Sequence, residues 1–283
     1  MTGAVRTEDV IYTRRGTRAL TARLYRPASA GPWPAVIDIH GGAWSGGDLT
    51  DGAARDAVLA EAGILVAAIE FRDGADGYPS SLQDISEAIR WLKASSLGVR
   101  ADRVGLTGNS SGGHLAILAA MRPDDARYGA LGSYPGVDAT VCCVGMLWPV
   151  INPLSRYRHA RRSRDQAVPA AWVGNIPERQ EGYWKSEAAM AEGNPVMILE
   201  RTESARTPPA LWIQGRPDDH PHDYRDPDSA FDGNEPDRFV HLYRAAGGSI
   251  TLVPVDQARR AEESIAPLVE FFRDHLVSRS SLR

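Results

Sequence analysis

The sequence predicts an α/β protein in which helices cover both faces of a mostly parallel central sheet. Three features lead to this fold class: short runs of consecutive apolar residues, amphipathic segments between them, and glycine-containing turns after several of the runs. Parallel strands buried on both faces have nearly continuous apolar runs instead of alternating ones. Strands that alternate with helices along a chain form sheets of this kind.

Eight segments have the composition of strands. The first two, residues 10–12 and 20–25, flank a turn at residues 14–16 and predict an antiparallel pair. Six further strands are expected at residues 35–39, 64–69, 104–108, 141–147, 210–213 and 250–255. Helices are expected at residues 52–62, 80–94, 115–121, 238–246 and 262–277, where apolar residues recur with the helical period or follow a turn.

Residues 150–206 follow neither period, and we expect an irregular cap there on a single domain that spans residues 1–283. The segment contains a cluster of arginines at positions 156, 158, 161, 162 and 164. The simplest interpretation of this cluster is a solvated face. The alternative is a clamp for an anionic substrate or an acidic partner, because guanidinium groups bind carboxylates in bidentate fashion.

The most informative motif is Gly-x-Ser-x-Gly, which spans residues 108–112 with Ser110 at its centre. It lies between a predicted strand and a predicted helix, as in a sharp strand-to-helix turn that exposes a serine. The backbone N–H of Ser111 is then directed at an oxygen bound beside Ser110, near the positive end of the helix. Ser110 is therefore a candidate nucleophile for acyl transfer.

Two other polar segments also follow predicted strands directly. Gly41 and Gly42 come after the strand at 35–39, and Asp218 follows the strand at 210–213. In open α/β sheets, ligands bind at the carboxyl ends of the strands. The two glycines, Ser110 and Asp218 are therefore expected to meet at one edge of the sheet.

Composition excludes several other classes of function. Hydrophobic residues make up 43% of the 283 positions and charged residues 24%, as in ordinary globular domains. The net charge of -4 gives no reason to expect nucleic acid, and we find neither a membrane-spanning run nor a secretory signal. The only cysteines are adjacent, Cys142 and Cys143, which fits a reducing, cytoplasmic setting. We expect no cofactor and leave the oligomeric state open.

These motifs resemble the α/β-hydrolase fold, in particular its esterase and lipase branch with a His-Gly-Gly segment, which includes hormone-sensitive-lipase-like and feruloyl-esterase-like enzymes. The matching segments are residues 40–44, 84–92, 108–115 and 208–218. The resemblance implies an acyl-transfer enzyme with Ser110 as the nucleophile. It implies an oxyanion hole formed by the N–H groups of Gly41, Gly42 and Ser111, and Asp218 as the acid that orients a histidine.

The segment after the last predicted strand departs from this pattern. The resemblance implies a general-base histidine near residue 259 or 260, but residues 256–262 contain no histidine. Arginines occupy both positions, and an arginine stays protonated at neutral pH and cannot act as a base.

The loop that carries Asp218 offers replacements, because it contains His220 and His222. Either histidine lies at the expected edge of the sheet, with Asp256 or a neighbouring carboxylate to orient it, and triads are known with different chain orders. We take His222 as the candidate base and leave open His220 and a site without a histidine base. The acidic residues of this loop also have ligand types for a divalent cation, but a solvated acidic loop is the simpler interpretation, and we expect no metal.

The sequence therefore predicts a serine hydrolase that cleaves a small-molecule carboxylic ester, or an amide, through an acyl-enzyme on Ser110. Two alternatives stay open because the usual base is missing or relocated. The same scaffold could perform non-hydrolytic chemistry, or it could be a non-catalytic protein that binds a small ligand or another protein.

Overall fold

The centre of the structure is a twisted sheet of eight strands. It is seen in a computed structural model that describes residues 4–129, 131–217 and 219–278. The strands lie in the order β1-β2-β4-β3-β5-β6-β7-β8. Their bounds are β1 Arg6–Arg15, β2 Arg18–Arg26, β3 Trp33–Ile39, β4 Leu65–Ile69, β5 Val99–Asn109, β6 Val144–Leu147, β7 Ala210–Arg216 and β8 Ile250–Asp256. Each of the eight overlaps a segment that the sequence predicts as a strand.

The pairing of the strands confirms the predicted fold class. β1 and β2 are antiparallel to each other, and β2 is antiparallel to β4. The six strands from β3 to β8 pair in parallel. Their carboxyl ends therefore share one edge of the sheet, and β8 forms its outer boundary beside β7.

Helices cover both faces of this sheet. Their bounds are α1 Ala53–Glu61, α2 Ser80–Ala94, α3 Ser111–Met121, α4 Pro153–Arg164, α5 Ile176–Trp184, α6 Glu187–Glu192, α7 Pro195–Glu200, α8 Glu235–Ala245, α9 Arg260–Glu263 and α10 Ile265–Phe272. One apolar core contains side chains of α2, α3 and α8, and the core on the opposite face contains side chains of α1 and α10. Within the described ranges, no helix has the length and apolar character needed to cross a membrane.

The cap segment, residues 150–206, is more regular than the sequence predicts, because it contains the four helices α4 to α7. Each is short, at 6 to 12 residues. The side chains of Asn152, Ser186 and Asn194 accept hydrogen bonds from the first turns of α4, α6 and α7. Polar groups such as Arg156 and Gln180 are buried here. An apolar period is therefore absent although the segment is helical.

Candidate active site

Ser110 occupies a strained turn between strand β5 and helix α3. β5 ends at Asn109 and α3 begins at Ser111, so that Ser110 alone connects them. Its φ of 53° and ψ of −119° lie in a region that side-chain-bearing residues rarely adopt. The Ser110 N–H donates to the carbonyl of Leu147 at 2.9 Å, and the Ser110 carbonyl accepts from Val150 N–H at 3.0 Å. These bonds anchor the turn to the end of β6.

The two glycines of the motif are required by the close approach of backbone segments at this turn. A Cβ on Gly108 would lie 2.6 Å from the carbonyl carbon of Gly112 and 2.7 Å from the carbonyl oxygen of Ile39. A Cβ on Gly112 would collide with the carbonyl oxygens of Ile39 and His40. The turn therefore packs directly against the end of β3, which leads into the predicted oxyanion segment.

Gly41 lies beside the Ser110 turn, because a Cβ there would come 2.6 Å from the Asn109 side chain, and Gly42 follows it. Gly42 has a φ of +108°, and a Cβ there would collide with the Gly46 carbonyl. Among the described residues, the N–H groups of Gly41, Gly42 and Ser111 donate to no other protein group. They are therefore available to an oxygen of a bound molecule, as an oxyanion hole requires.

His222 is the histidine in contact with Ser110. Its Nε2 lies 3.0 Å from the serine Oγ, although the two residues are 112 positions apart in the chain. The imidazole is buried, with 8% of its surface exposed, whereas His220 is exposed. Of the two candidates in this loop, the structure therefore brings His222 to the serine.

The carboxylate that orients His222 belongs to Asp219. Its Oδ1 lies 2.7 Å from the other ring nitrogen, Nδ1. Asp218, which the resemblance implies as the acid, lies outside the described residues, and Asp256 instead accepts a hydrogen bond from the nearby Ala258 N–H. An Nδ1–H that donates to Asp219 leaves Nε2 free to accept the Ser110 hydroxyl proton.

Asp219 belongs to the β7 loop, residues 217–234. Its other carboxylate oxygen is contacted by strand β7 and by the β8 segment, residues 257–263. From strand β7, Gln214 Nε2 donates to Asp219 Oδ2 at 2.8 Å, and Trp212 Nε1 donates to Gln214 Oε1 at 2.9 Å. From the β8 segment, Arg260 Nη1 reaches the same Oδ2 at 3.2 Å. Its guanidinium also lies over the ring of Trp148, 4.4 Å from the centroid.

These contacts set the protonation states of the pair. Burial lowers the pKa of His222, and the positive charges of Arg156 and Arg260 lower it further, while Asp219 raises it. Burial acts to raise the pKa of Asp219, but the hydrogen bonds from His222 and Gln214 and the charge of Arg260 outweigh it, and the net shift is downward. At neutral pH the arrangement therefore favours a neutral imidazole beside an ionised carboxylate.

His114 connects three parts of the structure and does not contact Ser110 through its ring. Its Nδ1 accepts from Trp44 Nε1 at 3.2 Å, and its Nε2 donates to the Gly193 carbonyl of the cap segment at 2.8 Å. Burial lowers its pKa to about 4, so it stays neutral near pH 7. In the parts of the chain that the structure describes, no group of three or more His, Cys, Asp or Glu side chains is arranged to hold a metal ion.

The sequence missed three residues of this site. Asp219 was hidden by its neighbour Asp218, although its spacing of three residues from His222 could have indicated the pair, because a single helical turn brings such side chains together. Gln214 had no distinguishing signal. Arg260 stood out only as an unexpected residue at the position where the resemblance implies a histidine.

Comparison with known proteins identifies the family. The BD-FAE family matches residues 23–220, which is well over half of the chain, and the protein belongs to this family of α/β-hydrolases.

Curated relatives and solved structures agree with this assignment. The chain is 38% identical over 103 residues to the probable carboxylic ester hydrolase LipM of Mycobacterium tuberculosis, covering 35% of this chain and 24% of LipM. It is 34% identical over 144 residues to an ethyl acetate hydrolase of Pseudomonas putida, covering 47% and 45% of the two chains. The chain thus spans less than half the length of these curated relatives.

A hyperthermophilic esterase from Pyrobaculum calidifontis has the same fold, with a TM-score of 0.72 over 98% of this chain and 88% of the esterase. The two sequences are 21% identical, so this likeness concerns the fold alone.

Proposed function

We propose that the protein is a serine hydrolase for carboxylic esters in which Ser110, His222 and Asp219 form the catalytic triad. One observation carries this proposal: His222 joins the Ser110 hydroxyl at 3.0 Å to the Asp219 carboxylate at 2.7 Å. A serine with a base in hydrogen-bond reach, itself oriented by a third group, is the arrangement that activates a weak nucleophile. The names of the relatives, carboxylic ester hydrolase and ethyl acetate hydrolase, support the ester as the substrate class.

In the first half of the reaction, Ser110 Oγ attacks the ester carbonyl carbon while His222 Nε2 takes the hydroxyl proton. The carbonyl oxygen becomes an oxyanion and accepts hydrogen bonds from the N–H groups of Gly41, Gly42 and Ser111. The intermediate collapses to an acyl-enzyme, and the leaving alkoxide receives the proton from His222.

In the second half, a water molecule attacks the acyl-enzyme and gives its proton to His222. Collapse of the second intermediate releases the carboxylic acid and returns the proton to Ser110 Oγ. Asp219 stays ionised throughout and stabilises the imidazolium that forms in each half. The pKa of Asp219 is lowered, which favours the ionised form that this role requires.

Active-site labelling tests the proposal directly. The purified protein is treated with a fluorophosphonate, digested and analysed by mass spectrometry, and hydrolysis of 4-nitrophenyl butyrate is measured in parallel. We expect one adduct, on Ser110, and turnover that Ser110→Ala abolishes. Ser204→Ala, a substitution at an exposed serine, is the control that should keep full activity. An unlabelled Ser110 together with no turnover would refute the proposal.

The alternatives of non-hydrolytic chemistry and of ligand binding without turnover both depend on the missing base after the last strand, and the second depends also on the arginine-rich cap. The contact between Ser110 and His222 weakens that ground, because it supplies a base from another loop. The labelling experiment separates a hydrolase from a pure binding protein, because the latter has no need for an activated Ser110.

A further inference from the structure

Arg156 differs from the other arginines of the cap segment because it is buried and has no acidic partner. Only 2% of the residue is exposed. Three of the neighbouring arginines are half-exposed and paired: Arg158 with Glu187 at 2.6 Å, Arg162 with Asp228 at 3.1 Å and Arg164 with Glu178 at 2.7 Å. Among the described residues, no carboxylate lies within 4 Å of Arg156.

The protein provides hydrogen-bond partners for only some of the N–H groups of the Arg156 guanidinium. Nε donates to Gln180 Oε1 at 2.6 Å, and the Gln180 amide is itself held by the Pro153 carbonyl at 3.0 Å. The cation lies over the Trp44 ring, 5.5 Å from its centroid. Nη2 is fully buried and has no hydrogen-bond partner among the described residues. An unpaired donor on a buried charge is costly, and such groups are normally satisfied.

Arg156 lies next to the proposed reaction centre. Trp44, on which it stacks, belongs to the segment that follows Gly41 and Gly42, and the charge of Arg156 is close enough to lower the pKa of His222. A second cap arginine, Arg179, donates from Nη2 to the Gly42 carbonyl and also lacks a carboxylate within 4 Å among the described residues.

The two guanidinium groups are near enough to repel each other. Burial lowers the pKa of Arg156 to about 10, and the charge of Arg179 contributes in the same direction. Two like charges without a counter-ion are unfavourable when one of them is buried, as Arg156 is. An anion that arrives with the substrate would remove both costs.

We propose that Arg156, assisted by Arg179, binds a carboxylate carried by the ester substrate. The inference rests on the proposed ester hydrolase function and names its substrate class, an ester whose acyl or alcohol part bears a second, free carboxylate. A carboxylate fits better than a phosphate monoester, because it brings one charge instead of nearly two into a buried place. The planar guanidinium fork matches a carboxylate in bidentate geometry.

Two matched pairs of esters test the proposal. On the acyl side, 4-nitrophenyl hydrogen succinate is compared with 4-nitrophenyl succinamate. On the alcohol side, 3-carboxyphenyl acetate is compared with 3-carbamoylphenyl acetate. Each pair differs only in whether a carboxylate or a neutral amide of similar shape is present. The ratio of kcat/KM within a pair therefore measures recognition of the charge.

We expect the wild-type ratio to be about 10 to 100 in favour of the carboxylate in at least one pair. In Arg156→Gln the ratio should fall to about 1, because any change in His222 that follows from the lost charge affects both esters of a pair alike. Arg161→Gln is the matched control, since Arg161 is on the same helix, is exposed and has no acidic partner among the described residues. It should leave the ratio unchanged. Arg156→Lys, which retains the charge without the fork, should give an intermediate ratio and covers the case in which the glutamine variant does not fold.

A wild-type ratio of 1 or less in both pairs overturns the inference, as does a ratio that survives Arg156→Gln. In both cases turnover of the neutral esters leaves the hydrolase function intact. The inference would also be overturned if inorganic phosphate inhibited hydrolysis of the neutral ester and succinate did not. That result would favour a phosphate-bearing substrate. Absence of both turnover and Ser110 labelling would instead refute the hydrolase function and the inference with it.

Discussion

The β7 loop carries the Asp219 carboxylate, and the β8 segment lies against it. The two segments contribute different groups to the site. The β7 loop carries both the carboxylate and the histidine, Asp219 and His222, in one turn in which the Asp219 carbonyl accepts the His222 N–H at 2.9 Å. The β8 segment contributes Arg260, which lies where the resemblance implies a histidine and reaches Asp219 Oδ2 at 3.2 Å. One loop thus holds the proposed proton-transfer groups, and the other holds a charge.

The difference indicates that a triad depends on geometry more than on chain order. A base must lie within hydrogen-bond reach of the nucleophile and be oriented by an acid, whichever loop carries it. Arg260 can neutralise the buried carboxylate but cannot accept a proton. Substitutions of Asp219 and His222 in the β7 loop should therefore abolish activity, and substitutions in the β8 segment should only reduce it.

The largest effect is expected for His222→Gln. The variant loses the group that takes the Ser110 proton, and kcat should fall about 10,000-fold or more. Hydrolysis of 4-nitrophenyl butyrate measures the loss, with circular dichroism to verify folding. His220→Gln is the matched control, because His220 is exposed in the same loop, and it should stay within about twofold of wild type. The opposite ranking of these two variants would assign the base to His220.

The next largest effect is expected for Asp219→Asn. The amide cannot act as the ionised acceptor that keeps the proton on Nδ1, so His222 is stabilised in the wrong tautomer and kcat should fall about 1,000- to 10,000-fold. Steady-state kinetics with the same ester measures this. An activity within tenfold of wild type would mean that another carboxylate orients His222.

A smaller effect is expected for Arg260→Gln. The charge of Arg260 lowers the pKa of His222, so its removal should shift the acidic limb of kcat/KM to higher pH. In the wild type that limb should lie below pH 6.5, because the pKa of His222 is lowered from that value and the neutral imidazole is the active form. At neutral pH we expect a loss of about two- to tenfold. Profiles of kcat/KM against pH measure both quantities.

Arg259→Gln is the control for this profile. Arg259 is adjacent to Arg260 but 63% exposed, and it pairs with Glu263 at 2.5 Å. Its removal should leave the pH profile in place. A profile that moves equally in both variants would show a general effect of net charge and not a specific contact with Asp219.

The smallest effect is expected for Asp256→Asn. The Asp256 side chain accepts the Ala258 N–H at 2.8 Å and does not contact His222, and asparagine is an equally good cap. We expect kcat/KM within about twofold of wild type and an unchanged melting temperature. A loss above tenfold would contradict the proposed difference between the two segments, because it would mean that the end of β8 helps to orient the base.

The fold and the strained turn at Ser110 could be predicted from local sequence patterns. Buried parallel strands need continuous apolar runs, and a strand that turns into a helix around a serine needs the glycines at 108 and 112. Both requirements act over a few residues and therefore remain visible in the sequence. The position of Gly42 is of the same kind, because a side chain there would meet the Gly46 carbonyl.

The contact between Asp219 and His222 and the burial of Arg156 could not be predicted in this way. Asp218 and Asp219 are chemically identical neighbours in the sequence, and only the turn that brings the Asp219 carboxylate to His222 identifies it. Arg156 belongs to a run of arginines that look alike in sequence, and only the packing of α4 against Trp44 and Gln180 separates it from its exposed neighbours. Such distinctions depend on contacts between distant segments.

The three-residue spacing of Asp219 and His222 also has a consequence for local stability. β8 is an edge strand, hydrogen-bonded to β7 alone, and edge elements are common places for native proteins to open transiently. In a protein whose base follows the last strand, each such opening would disconnect the base from the nucleophile. Here it would remove only the counter-charge of Arg260. The amide hydrogens of β8 can therefore exchange faster than those of β7 while Asp219 and His222 stay in contact.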